Sequence, residues 1–285
     1  MSMSLASKNK STIIRQKSVL LHAIRTWFWE NGYLEVQTPI LVPSPAMEEH
    51  LEALPCRERW LHTSPEFAMK RLLTMGMCRI YQIVPCFRDE EVGVHHSREF
   101  SMLEWYRVGI GTADLMNETE ALLQTCADAL GVSLPTIQRI RTSELLDPKL
   151  SPEDWLFTWV DQIEPRLPRG AIVFDYPQWA SALSRIRGQY ADRFELYIDG
   201  IELANAFYEE REAQEVRHRW EKNNNARIEA GKNPHPIDHH FLDAVDRLPR
   251  CSGIALGLDR LLMVLLNVSA ISHTQLELEE DSHDA

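Results

Sequence analysis

Apolar positions recur along this chain with two different periods, and the switches between them divide it into helices and strands. Ile13, Ile14, Leu20, Leu21, Ile24, Trp27 and Phe28 fall at helical spacing; Ser11 or Thr12 can cap the start, and Asn31-Gly32 ends the run. A short extended piece over 33–36 follows, broken at Thr38-Pro39, and the polar, irregular stretch 43–59 predicts a surface loop. A second helix, FAMKRLLTMG, begins at Pro65-Glu66, where a proline fits the first turn and a carboxylate suits the positive end of the dipole. A strand is predicted over 79–87 and an amphipathic helix over 113–130, closed by Gly131. Five prolines interrupt 132–170, leaving only a helix near 153–163 legible there. A buried strand over 171–176, a charged helix over 211–230, and a proline-rich turn holding His235, His239 and His240 come next. The last element is a small-residue strand from Cys251 that turns at Gly257 into an apolar helix.

Two hairpins concentrate the charge. In the first, 86–107, Arg88 and Glu90 share parity at the end of one strand, and Phe100, Glu104 and Tyr106 share parity on the other, with His95 and His96 in the loop between. A guanidinium beside imidazoles, facing an aromatic platform, suits the phosphates and base of a nucleotide. An amphipathic hairpin with a charged outer face accounts for the stretch equally well. In the second, 193–210, Asp199-Gly200 predicts a two-residue turn that pairs Ile198 with Ile201 and Tyr197 with Glu202. Glu195 and Glu202 then lie on one face, about 7–8 Å apart, as a divalent cation such as Mg²⁺ would need. Two solvated strand glutamates are the alternative. Strict alternation places Asn205, Phe207 and Glu209 on the opposite face from Glu202, so a shared pocket requires a bulge between Glu202 and Asn205.

Three other groups carry weaker signals. Glu66 is equally well explained as a helix-start carboxylate. Asp259 and Arg260 stand at a helix N-terminus, where anions are favoured, although the two can simply pair. The histidine cluster lacks the spacing of a metal site and reads as a turn and helix start.

Composition narrows the picture modestly. With 285 residues, 44% apolar and 25% charged, the chain can bury a large core, and its net charge of −12 argues against a polyanion gripped by its backbone. Five cysteines without a CxxC pair predict reduced thiols serving as small core residues in a cytoplasmic protein. No signal peptide or membrane span is evident, and P-loop, GxGxxG and Gly-x-Ser-x-Gly motifs are missing.

Taken in order, these pieces resemble the catalytic core of class II aminoacyl-tRNA synthetases. The first helix, strand and Thr38-Pro39 resemble motif 1; Phe87-Arg88-x-Glu90, His96, Glu99-Phe100 and Met102-Leu103-Glu104 resemble motif 2; Gly257-Leu258-Asp259-Arg260 resembles motif 3. Pro65-Glu66, Met69-Lys70-Arg71-Leu72 and the run from Gly200 to Phe207 are similar to the lysyl enzymes. Ser64-Pro65-Glu66, the run from Met102 to Arg107 and that from Cys251 to Gly257 look like a truncated paralogue subgroup that modifies translation elongation factor P. The expected fold is α+β, an antiparallel sheet flanked by helices, spanning 10–268, with an acidic tail over 269–285 that frays and no anticodon-binding domain.

The resemblance implies ATP-dependent activation of a lysine-type amino acid, (R)-β-lysine being the subgroup's donor, and ligation to a lysine ε-amine of elongation factor P by a homodimer; tRNA is not the expected partner. Carried over, Arg88 and Arg260 are catalytic, and Arg88, Glu90, His96, Phe100, Glu195, Glu202 and Arg260 bind ATP. Glu195 and Glu202 hold Mg²⁺, while Glu66, Glu104, Tyr106, Asn205, Phe207, Glu209 and Ala255 form the amino-acid pocket. Ala255 replaces a glycine of the tRNA-charging enzymes. The loop 93–98 departs from the subgroup at Val94, where an arginine is expected and Arg98 is the nearest substitute. A truncated tRNA-charging enzyme and a non-catalytic paralogue that senses lysine or its adenylate are the competing expectations.

Overall fold

The computed structural model describes residues 10–89 and 92–276, so Glu90 lies outside the described residues. Its main sheet runs Leu34–Glu35, Arg79–Phe87, Glu99–Val108, Cys251–Gly257, Ile201–Tyr208, Tyr190–Ile198, Gly170–Pro177, Ile137–Arg141, with Ile186–Arg187 paired beside Tyr190–Ile198. The central strands are antiparallel, as the sequence predicts; the pairs at the two edges are parallel. One face packs on the helices Lys10–Glu30, Thr112–Leu130 and Leu258–Leu266, burying Leu103, Trp105, Leu196, Ala204, Ile254 and Leu256 against Ile24, Phe28, Leu122 and Leu262. Period-two alternation sends the intervening side chains to the other face, and there the site is built.

Local chemistry sets the boundaries. Asp199 and Gly200 both have positive φ (51° and 75°), the left-handed pair that a tight hairpin turn demands. Ile198 faces Ile201 and Tyr197 faces Glu202 as expected, and the register then shifts: Leu196 faces Ala204, leaving Leu203 as the extra residue. The bulge thus falls between Glu202 and Asn205.

Four points differ from the expectation or add to it, the helix near 153–163 being present as expected. The stretch 43–59 is not simply a surface loop, because Ser44, Met47 and Ala53 are buried and a small sheet forms from Leu41–Val42, Arg59–Leu61 and Pro55–Cys56. In 132–170, Ile137–Arg141 forms an edge strand whose half-exposed side chains leave little alternation, while Trp155 and Trp159 stack at 4.9 Å beneath Tyr176 and Tyr197. Of the cysteines, Cys86, Cys126 and Cys251 are core residues, but Cys56 and Cys78 are exposed. At the C-terminal side, Ile271 is buried in a 3₁₀ turn over Ile271–Thr274, so the folded part reaches beyond 268; residues 277–285 of the expected tail lie outside the described residues. Among the described residues no helix is long and apolar enough to cross a membrane.

Arg227, 2% exposed, explains the order of the stretch around 50. It donates to the carbonyls of Asn233 (2.9 Å), Glu49 (2.9 Å) and Leu51 (3.1 Å) and to the Glu52 carboxylate (3.0 Å). His235 adds a contact to Leu51 O at 3.2 Å, which places it in the turn rather than in a metal cluster. Arg227→Met strands those acceptors, costing about 3 kcal/mol and lowering the unfolding midpoint by roughly 5 °C in calorimetry. An unchanged midpoint would show that the network contributes nothing net.

Candidate active site

Two cross-strand rows make the floor of a cavity of about 320 Å³. One row is Glu104, Ala255, Asn205 and Glu195, continued outside the cavity by Gln82; two residues along each strand the next is Tyr106, Gly253, Phe207 and Arg193, continued outside it by Ile80. Over the cavity the central strand presents Gly253, Ala255 and Gly257 on this face, and those small side chains leave the floor hollow. Ser64 and Glu66 line the cavity from the start of the Glu66–Leu73 helix, Glu48 and Leu51 from the segment pinned by Arg227, and His95, His96 and Ser97 from the first hairpin's loop. Glu202 shares Glu195's face through its pairing with Tyr197, and the bulge brings Asn205 and Phe207 round to join them in the lining.

The two ends of the cavity differ in charge. At one end Arg88 stacks its guanidinium 5.1 Å from the Phe100 ring centroid. Arg260, at the start of the Leu258–Leu266 helix, donates from Nε to His95 O (3.0 Å) and from a terminal nitrogen to Glu202 O (3.0 Å), tying the hairpin loop to the sheet. Asp259 does not pair with Arg260; it is buried against Lys17 (2.5 Å) and accepts from the Ser101 amide at 2.6 Å. The helix-start arginine is thereby left to the cavity.

Glu195 is heavily held: Tyr176 and Tyr197 each donate a phenol to it at 2.5 Å, and Arg193 pairs with its other oxygen. Arg193 also donates to Asn205 at 3.0 Å, so a residue the sequence reading passed over links two it singled out. The shared parity of Arg193, Glu195 and Tyr197 is the signal that could have found it. Burial first, and Glu195 second, push the Glu202 carboxyl up to about 8 despite Arg260, Arg193 and Arg88. Among the described residues no group of three His, Cys, Asp or Glu is placed to hold a metal. Two carboxylates are what the protein can offer, a set that fits a hard cation arriving with phosphate and water ligands.

The opposite end is acidic. Glu104, 1% exposed, accepts from Ser64 Oγ (2.7 Å) and Tyr106 OH (2.6 Å), and burial, then Glu66, lift its pKa to about 7. Glu209, also 1% exposed, meets Lys70 Nζ at 2.5 Å through Oε2, and its Oε1 has no hydrogen-bond donor among the described residues. Lys70 also meets Glu66 at 2.6 Å. A buried carboxylate oxygen without a donor, facing a cavity, is a seat for a cationic group.

The structure therefore brings Arg88, His96, Phe100, Glu195, Glu202 and Arg260 into one cavity with Glu66, Glu104, Tyr106, Asn205, Phe207, Glu209 and Ala255. Arg98 is not part of it: it pairs with Asp89 on the outside and donates to Asp89 O at 2.9 Å, so it does not stand in for the arginine missing at Val94. Lys70, Arg193 and Gly253 belong to the site without having been singled out.

A family described as tRNA synthetases class II (D, K and N) matches residues 1–276. The chain is 38% identical to the "Elongation factor P--(R)-beta-lysine ligase" of Vibrio atlanticus (strain LGP32), over 300 positions covering 90% of this chain and 93% of that protein. The protein of the same name from Vibrio vulnificus (strain YJ016) is 39% identical with the same coverage. That of Proteus mirabilis (strain HI4320) is 34% identical over 298 positions, covering 90% and 92%.

Proposed function

The chain belongs to the class II tRNA synthetase family, and from that premise we propose that it is an ATP-dependent ligase joining a lysine-type amino acid, (R)-β-lysine by analogy with its relatives' name, to elongation factor P. The observation that carries the reading is Glu209, a buried carboxylate with a donor-free oxygen at one end of a cavity whose other end holds Arg88 and Arg260. A lysine-type amino acid has ammonium groups for the acidic end and a carboxylate to deliver to the arginines.

In this reading the substrate carboxylate attacks the α-phosphorus of ATP, a carboxyl-oxygen-to-phosphorus bond forms, and pyrophosphate leaves. Arg88 neutralises the charge on the α-phosphate and orients the carboxylate; His96 and Arg260 hold the outer phosphates; Phe100 carries the adenine, with Arg260 across from it. Glu90 is assigned to ATP by resemblance alone. Glu195 and Glu202 are the residues that would hold Mg²⁺, which would supply charge neutralisation to the phosphates. The step needs alignment and electrostatic stabilisation more than proton transfer. Glu66 receives the amino group near the reacting carboxyl. Glu209 and the Tyr106 oxygen receive the distal ammonium, with Glu104 fixing the phenol. Asn205 and Phe207 form the wall between. The ε-amine of an elongation factor P lysine then displaces AMP from the acyl group, making an amide. A homodimer formed through the first helix completes the proposal; Trp29 and Leu34, 80% and 54% exposed, are available for that face.

Amino-acid-dependent ATP–pyrophosphate exchange with (R)-β-lysine and L-lysine tests this. Exchange with at least one of them is expected, followed by transfer of label to elongation factor P. Exchange with neither would overturn activation altogether, and label passing to tRNA instead would replace the acceptor.

A further inference from the structure

Resting on the reading of a lysine-type substrate, we infer that Lys70 is a built-in counter-cation that sets the charge the pocket accepts, making it specific for an amino acid with two ammonium groups. Of the cavity's glutamates, Glu66, Glu104 and Glu209 form one interacting group at the acidic end, and Glu48, Glu195 and Glu202 are not among the neighbours that act most on them. Lys70 stands between two of them, 2.6 Å from Glu66 and 2.5 Å from Glu209, with only 3% of its side chain exposed. One ammonium against three carboxylates leaves two negative charges without a partner. A diamino acid whose carboxylate lies at the arginine end brings two positive charges to this end, and the cluster closes at neutrality. A monoamino acid of the same shape leaves one buried carboxylate unpaired unless it takes up a proton.

A structural ion pair between Glu66 and Lys70, four apart on one helix, would not need Lys70 to reach Glu209 on a distant strand end. Nor does such a pair account for the donor-free Glu209 Oε1 beside it. The surrounding groups do not alter the count. Tyr106 and Cys251, on the flanking strands, both have their pKa raised, by burial first, and stay neutral. Arg211, the next cation along the chain, donates to Leu248 O at 3.4 Å. Burial acts to lower Lys70, but Glu209 and Glu66 outweigh it and its pKa lies above the ordinary lysine value. Burial lifts Glu209 to about 8 and Glu104 to about 7, which is how an under-compensated cluster behaves before its cations arrive.

The sign of the pH effect follows. Below about pH 7 the cluster holds protons and offers a dication no net negative charge; as pH rises through about 7–8 it releases them, so the amino-acid KM falls. The test compares wild type, Lys70→Met and Lys70→Arg in ATP–pyrophosphate exchange with (R)-β-lysine and L-lysine between pH 6 and 9. Lys70→Met is expected to raise the amino-acid KM about tenfold at pH 7 with kcat within about threefold, and to move the KM-against-pH curve about one unit alkaline. Lys70→Arg keeps the charge and moves the curve back toward wild type. A KM curve unmoved by Lys70→Met, or one moved equally by Lys70→Arg, overturns the inference. Absence of exchange in the wild type is a failure of the functional reading, and the charge count is then read without turnover. The infrared carbonyl band of protonated carboxyl groups must be larger in free Lys70→Met than in wild type, and must persist to higher pH. Equal bands overturn the role of Lys70 whatever the substrate is.

Discussion

Glu202→Gln is expected to lower amino-acid-dependent ATP–pyrophosphate exchange by about 10²–10³-fold, the size seen when one preorganised charge-stabilising group is lost. The two candidate metal carboxylates are unequal. Glu195 is committed to Tyr176, Tyr197 and Arg193, so much of its charge is already met within the protein. Glu202 is instead pushed up to about 8, by burial and then by Glu195, and its charge is the one that waits for a cation. Glutamine keeps the shape, and it resembles the protonated carboxyl that burial and the neighbouring Glu195 favour. The variant should therefore fold with an unfolding midpoint within a few degrees of wild type. Amino-acid affinity, measured by calorimetry without ATP, should be unchanged because Glu202 lies away from the acidic end. Near-normal exchange at saturating Mg²⁺ would remove Glu202 from the metal role. Loss of amino-acid affinity together with exchange would place its effect in the wrong half of the cavity.

Much of this architecture was legible because its signals are local. Parity alone put Phe100, Glu104 and Tyr106 on one face, and Asp199-Gly200 fixed a register that holds up to Leu203. A pocket shared by Glu202 and Asn205 demands a bulge between them, and the register shifts there. The order of the motifs led to the class II fold, which the sheet and the family match bear out. Illegible features depended on contacts distant in sequence. Nothing around residue 50 indicates that Arg227 will bind its carbonyls, so a polar stretch looked like a loop. Lys70 looked like an ordinary helix lysine because Glu209 reaches it only through the fold. The strand Ile137–Arg141 escaped notice because an exposed edge strand has no face to pattern.

Gly253→Ala is expected to raise the amino-acid KM about 10–100-fold while leaving ATP affinity within about twofold. Gly253 pairs with Tyr106 on one side and Phe207 on the other, at the middle of the sheet. A Cβ there would collide with the Tyr106 ring and come within 2.8 Å of Glu209 Oε1, the oxygen without a donor. The phenol cannot retreat freely, since its OH donates to Glu104 at 2.6 Å and Glu104 is held in turn by Ser64. The methyl group therefore occupies the gap between Tyr106 and Glu209 that the distal ammonium is proposed to fill. Gly257→Ala supplies the control. It adds the same methyl on the same strand, but the nearest atoms are Arg260 side-chain carbons at 3.8 Å, an ordinary contact. Its amino-acid KM should stay within a few-fold of wild type. The expected pattern is thus a steep amino-acid KM effect at 253 with nucleotide affinity preserved there, and only a slight amino-acid KM effect at 257, with calorimetry and exchange kinetics as readouts. A Gly253→Ala enzyme with wild-type amino-acid KM would mean that the substrate's distal end lies elsewhere, and that the donor-free oxygen of Glu209 serves some other cation.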